Sequence, residues 1–126
     1  MEIKHLAIPT VFTGYGKWGD WEWMQEDPDW AHTLFVFNDN EEQFDAYVNG
    51  RSSGFTPGAG NALARPWRKF NPPKSAGIPT GKQGSGYNIL DEVTKEKIDQ
   101  ALTVVYDLLK TFYYNYLVFS ADESER

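Results

Sequence analysis

Residues 33–38, with the sequence TLFVFN, form the stretch that decides the fold of this chain. They are a continuous run of β-favouring residues, which is typical of a strand buried on both faces of a parallel sheet. The polar residues Asn38, Asp39 and Asn40 follow at its carboxyl end, where α/β proteins bind ligands. The alternative is that Asp39 or Asn40 only caps the next helix, and both roles are compatible.

The rest of the chain predicts an α/β fold in which a small, mostly parallel sheet is flanked by helices. Further strands are predicted at residues 3–9, 76–79 and 116–120, and helices at residues 41–48 and from Asp91 or Thr94 to Phe112. A short helical turn is expected near Asn61, limited in length by Pro66. At 126 residues, the chain (1–126) is predicted to be a single domain.

A basic, glycine-rich segment occupies residues 46–90. It contains no Asp or Glu but 8 of the 11 glycines, and its basic residues are Arg51, Arg65, Arg68, Lys69, Lys74 and Lys82. Glycine lets the backbone approach a ligand closely, and free N–H groups beside Arg or Lys then hold phosphate or carboxylate oxygens. The segment therefore indicates an anion site. The alternative is a surface loop whose charge is incidental.

Three predicted strands end in polar residues, at positions 38–40, 80–82 and 120–122. Because the carboxyl ends of parallel strands meet at one edge of a sheet, these residues are expected to converge on a ligand site there.

A second distinctive segment, residues 18–30, holds four of the five tryptophans, interleaved with Asp and Glu. One interpretation is an aromatic platform for a sugar, a base or a partner protein. The favoured interpretation is a layer of aromatics packed over the core, because each Trp buries a large area.

Composition excludes several classes of function. There are no cysteines, so disulfides, thiolate metal sites and a Cys nucleophile are ruled out. His5 and His32 lack metal-ligand spacing, so neither a metal nor a cofactor is predicted. The net charge of −6 argues against non-specific nucleic-acid binding. With no signal peptide and no apolar run long enough for a membrane, a cytoplasmic location in a bacterium or phage-infected cell is expected. A homodimer stays an open alternative.

Residues 35–40, 58–62 and 76–80 together resemble a group of small phage and bacterial proteins with the pattern FVF-x-DN, a glycine-rich turn with A-x-x-R, and GIPT. Their spacing also resembles that of macro domains, which bind ADP-ribose. Residues 58–61, GAGN, are only similar to the GGGV phosphate loop of macro domains. Relatives continue past the last strand, so part of a phosphate site is expected to be missing here or supplied by a second subunit.

The resemblance implies binding of ADP-ribose or a related nucleotide-like anion by a macro-domain-like fold. Whether the chain is an enzyme is left open. If it is a hydrolase of ADP-ribose-like or phosphate-containing substrates, Asp39 is the predicted catalytic residue, activating a water. The alternative function is a protein-interaction module that uses residues 18–30. The predicted ligand-binding residues are Asn38, Asn40, Gly58, Gly60, Asn61, Arg65, Arg68, Thr80 and Lys82.

Overall fold

A four-stranded parallel sheet forms the centre of the molecule. The computed structural model describes residues 6–82, 85–87 and 91–121. For Leu6, Lys82 and Ser85 it describes the backbone alone. The strands of the sheet are β1 (Leu6–Thr10), β2 (Thr33–Asp39), β3 (Ser75–Pro79) and a last strand, Tyr116–Ser120. Gly81–Lys82 (β4) and Ser85–Gly86 (β5) form a separate antiparallel pair, so the last strand is β6. The order β1-β6-β2-β3 places β6 between the first two strands.

Helices cover both faces of the sheet, and the predicted α/β class is confirmed. The α-helices are α1 (Trp21–Glu26), α2 (Glu41–Val48) and α3 (Glu92–Thr111), and 3-10 helices lie at Pro28–Trp30, Ser52–Phe55 and Gly60–Lys69. The bounds of α2 and β6 are those that the sequence predicts. Asp91 caps α3 by accepting a hydrogen bond from the Thr94 N–H.

Strand β2 is buried on both faces, as its sequence predicts. Leu34 faces α3, where it joins Val105 and Tyr114 in one apolar cluster. Phe35 and Phe37 face the opposite way and join a second cluster that includes Trp21. Because side chains alternate along a strand, Asp39 shares the face of Phe35 and Phe37.

The segment after the glycine turn is longer than predicted. Pro66 predicts only a short helical turn, yet the 3-10 helix runs for ten residues, Gly60–Lys69. Proline removes only one hydrogen bond, and the helix persists because one side of it is buried against the sheet through residues such as Ala64 and Trp67. This helix is called the 3-10 helix 60–69 below.

The tryptophan segment divides between core and surface. Trp21 is buried, and Trp30 packs against the same apolar cluster, as the packing interpretation predicts. Trp18 and Trp23 are 43% and 37% exposed. Within the described residues, no helix is both long enough and apolar enough to cross a membrane.

Candidate functional site

Two clefts open at the carboxyl edge of the sheet. The first, cleft A, has a volume of about 530 Å³ and lies at the ends of β2 and β3, against residues 56–59 and Gln43 of α2. The second, cleft B, has a volume of about 510 Å³ and lies beside the end of β6 and the loop after β1. Gly58 lines both clefts, so the turn around it separates them.

Cleft A is built on Asp39, the last residue of β2. Its side chain is fully buried and accepts hydrogen bonds at both carboxylate oxygens. Oδ1 accepts from Arg65 Nη2 at 3.0 Å and Nε at 3.2 Å, and Oδ2 accepts from Arg68 Nη2 at 2.8 Å. The backbone N–H of Asn40 also donates to Oδ1. Asp39 therefore ties the 3-10 helix 60–69 to the end of the strand.

Arg65 and Arg68 meet the same carboxylate because they are three residues apart in a 3-10 helix. Side chains at that spacing point in the same direction, since this helix has three residues per turn. Two glycines leave the room that the cluster needs. A Cβ on Gly77 would lie 2.7 Å from Asp39 Oδ2, and a Cβ on Gly58 would lie 2.8 Å from Arg65 Nη1.

Arg68 lies behind Asp39 and lines neither cleft. Its guanidinium carbon is 4.0 Å from the ring centroid of Tyr47 and 5.0 Å from that of Phe37, so aromatic faces surround the charge. Burial lowers the pKa of Arg68 from its ordinary value, while the charge and hydrogen bond of Asp39 act in the opposite direction. Its Nε is buried with no hydrogen-bond partner among the described residues. Arg68 therefore has a structural role: it holds Asp39, the last residue of β2, in place.

Arg65 is the arginine of the cluster that lines cleft A. Its side chain is only 5% exposed, and its Nη1 donates to the carbonyl of Thr56 at 3.0 Å. Two arginines share one carboxylate, so the buried cluster of Arg65, Arg68 and Asp39 carries a net charge of +1. The excess positive charge lies at the wall of cleft A, which Arg65 lines.

The polar residues at the rim combine structural and ligand-facing positions. Asn40 caps α2 by accepting from the Gln43 N–H at 2.8 Å, and it also lines cleft A. Thr80 is exposed and lines cleft A, and its backbone N–H and hydroxyl both donate to the Asp39 carbonyl. Asn61 accepts from the Asn38 N–H at 2.9 Å and thereby fixes the glycine turn to β2.

The predicted ligand-binding residues divide between the two clefts. Cleft A is lined by Asn38, Asn40, Arg65 and Thr80. Cleft B is lined by Gly60 and Asn61, and Gly58 lines both clefts. The side chain of Lys82 and residue Asp122 lie outside the described part of the chain. Ser120, at the third predicted strand end, lines cleft B.

The sequence prediction missed the aromatic wall of cleft B. Phe12 and Tyr15 come from the loop after β1, and their ring centroids are 5.1 Å apart in an edge-to-face arrangement. Their signal was present, since two aromatics sit in a glycine-rich turn directly after a predicted strand. Asp20, which caps α1, also lines cleft B.

The described residues contain no group of three or more His, Cys, Asp or Glu side chains that could hold a metal ion. Comparison of the chain with protein-family models, with curated proteins and with solved structures found no match.

Proposed function

We propose that the chain binds a nucleotide-like anion, of the ADP-ribose class, in cleft A. The observation that carries the proposal is the buried, net positive cluster at the wall of that cleft, of which Arg65 lines the opening. A buried charge without a counter-charge is costly, and an anion in cleft A supplies the missing one.

The chemistry of the cleft wall suits a phosphate group. A guanidinium presents planar N–H donors that match phosphate oxygens, and charge-assisted hydrogen bonds of this kind contribute about 1.5–3 kcal/mol each. Asn40 and Thr80 add neutral polar groups to the lining of the same cleft. The position at the carboxyl ends of parallel strands is the usual ligand position in α/β folds. The resemblance to macro domains supplies the ADP-ribose part of the proposal.

Asp39 acts in this proposal by positioning Arg65. Its carboxylate has no exposed surface, and both of its oxygens already accept hydrogen bonds from arginine. A hydrolase in which Asp39 activates a water is the alternative role, and it requires that water to reach a buried carboxylate. An assay for hydrolysis of ADP-ribose separates the two roles, because only the hydrolase role predicts turnover.

The test is calorimetric titration of the protein at low salt with inorganic phosphate, ribose 5-phosphate, AMP and ADP-ribose. We expect Arg65→Lys to weaken binding about tenfold or more, because lysine cannot donate to Asp39 and to a ligand through one planar group. Arg51→Gln is the matched control, since Arg51 is an exposed base of the same glycine-rich segment and lines neither cleft. Its affinities should equal those of the wild type.

Folding of each variant is checked by circular dichroism and thermal melting, so that loss of binding is not confused with loss of structure. Thr80→Val is a second test variant, which removes a hydroxyl group from the lining of cleft A. Because Thr80 is exposed, the change is not expected to unfold the protein, so weaker binding would reflect the lost hydroxyl group. No binding of any of the four anions by the wild type would refute the proposal. Equal affinities in wild type and Arg65→Lys would refute the assignment to cleft A.

The protein-interaction alternative now rests on Trp18 and Trp23, the exposed members of the tryptophan segment. It predicts that Trp23→Ala removes binding to a partner protein and leaves anion affinity unchanged. Trp21, in contrast, is buried in the core, and its Nε1 donates a hydrogen bond to Thr10 Oγ1 at 2.9 Å.

A further inference from the structure

Cleft B has the properties of a binding site for a flat ring. Phe12 and Tyr15 stand at its mouth, 55% and 87% exposed, and the buried ring of Trp21 contributes to its wall. An edge-to-face aromatic pair that exposes this much apolar surface gains free energy when another ring covers it. Stacking on such a platform accepts any planar heteroaromatic group.

The charge of cleft B is opposite to that of cleft A. Its ionisable lining residues are acidic, Asp20 and Glu22, together with the phenol of Tyr15, and no Lys, Arg or His lines it within the described part of the chain. Asp20 is held in place because its carboxylate accepts from the N–H groups of Gly16 and Glu22, at 2.7 and 3.2 Å. Glu22 is exposed, and no ion pair joins it to another described residue. Aromatic faces and carboxylates together favour a planar cation.

The two clefts are close enough to share a ligand, because Gly58 lines both of them. On one side of its turn lies the cationic wall of Arg65, and on the other lie the aromatic pair and the carboxylates. We infer that cleft B binds a positively charged heteroaromatic ring belonging to the same ligand whose anionic group occupies cleft A, an inference that rests on the proposed function. The ligand class is therefore a zwitterionic nucleotide, with phosphate at one end and a cationic ring at the other.

Three probes with the same ribose phosphate separate the contributions of the ring and of its charge. Ribose 5-phosphate has no ring, reduced nicotinamide mononucleotide has a neutral ring, and the oxidised form has a cationic one. Calorimetric titration of the wild type should give an affinity that rises in that order. The oxidised nucleotide should bind at least about tenfold more tightly than ribose 5-phosphate. NAD⁺ and NADH repeat the comparison with a longer ligand.

Surface variants identify the groups responsible. Tyr15→Ala should lower the affinity for the oxidised mononucleotide to near that for ribose 5-phosphate, and leave ribose 5-phosphate binding unchanged. Glu22→Gln should remove the preference for the oxidised over the reduced ring. Glu26→Gln is the matched control, because Glu26 is an exposed acid at the other end of α1 and does not line the cleft. It should keep the preference intact.

The outcomes separate this inference from the proposed function. If ribose 5-phosphate binds in an Arg65-dependent manner while neither oxidised ligand binds more tightly than its reduced partner, the cationic-ring inference is overturned and anion binding in cleft A stands. An unchanged preference in both Tyr15→Ala and Glu22→Gln would also overturn it, since the ring would then lie elsewhere. If no probe binds, both proposals fail together.

Discussion

Replacement of Asp39 by Asn tests whether the buried cluster holds the carboxyl edge of the sheet together. The two side chains are nearly the same size, so the change removes the charge and one acceptor without opening a cavity. The amide oxygen of Asn can still accept from Arg65. In the wild type, Arg68 Nη2 donates to Asp39 Oδ2 at 2.8 Å, and in the variant it faces an NH₂ group that cannot accept. Two buried arginines are left without a counter-charge.

The expected cost follows from the burial of all three partners. The side chains of Asp39, Arg65 and Arg68 are 0%, 5% and 3% exposed. Removing one partner of such a buried ion pair costs about 3–5 kcal/mol. Because Asn retains one acceptor, we expect about 3 kcal/mol for Asp39→Asn and a value nearer 5 kcal/mol for Asp39→Ala. Either is a large part of the roughly 5–15 kcal/mol by which domains are stable.

Equilibrium unfolding in urea, followed by tryptophan fluorescence, measures the effect. A loss of about 3 kcal/mol should lower the midpoint by about 1–3 M. Asp45→Asn is the control, because the Asp45 carboxylate also pairs with a base, Lys97 at 2.7 Å, but is half-exposed. That change should cost less than about 1 kcal/mol. Equal midpoints for the two variants would show that the Asp39 cluster adds no more than a surface pair and would refute the reasoning.

Two further changes test the packing around the clefts, and a third tests a buried phenol in the apolar cluster of Leu34 and Val105. Gly77→Ala puts a methyl group 2.7 Å from the buried Phe37 ring and should lower the free energy of unfolding by about 1–3 kcal/mol in urea titrations, and an unchanged midpoint would contradict this steric account. Gly58→Ala pushes on Arg65, so calorimetry should find weaker phosphate binding than in the wild type, whereas an equal affinity would show that the guanidinium position is unimportant. Burial raises the pKa of Tyr114 to about 12, above its value of about 10 in the unfolded chain, so the stability it contributes is present below pH 10 and is lost as the pH rises towards 12. Tyr114→Phe should make the free energy of unfolding fall less steeply over that interval, and an unaltered pH profile would contradict the assignment.

The strands and the long helices were predictable because each carries a local signal. Strand β2 has a continuous apolar run, and α3 has an apolar stripe at helical spacing, so residue pattern alone locates them. The length of the 3-10 helix 60–69 was not predictable, because it depends on burial of Ala64 and Trp67 against a sheet that forms far away in sequence. Leu102 follows Ile98 by four residues and so belongs to the same apolar stripe of α3, yet it is exposed. Which part of the stripe packs against the sheet depends on the tertiary structure.

At the candidate site, residue types were predictable but partners were not. The carboxyl edge, the glycine turn and Arg65 all follow from the sequence and line cleft A. That Asp39 points inward follows from its phase with Phe35 and Phe37 in β2, a signal that sequence reasoning did not use. Its pairing with two arginines, 26 and 29 residues further along the chain, required the structure.

Because β6 lies between β1 and β2, the order of translation determines when each cleft has all of its residues. Val118 of β6 pairs with Ile8 on one side and with Phe35 on the other, so β1 joins the sheet only through a strand that is translated after β2 and β3. Strands β2 and β3 and the three helices between them are contiguous in sequence, so Asp39, Arg65 and Arg68 are all translated before α3. Cleft B needs both Phe12 and Ser120 and is completed only after β6 emerges. A nascent chain therefore contains every residue that lines cleft A, the last of which is Gly86, before it contains all those that line cleft B.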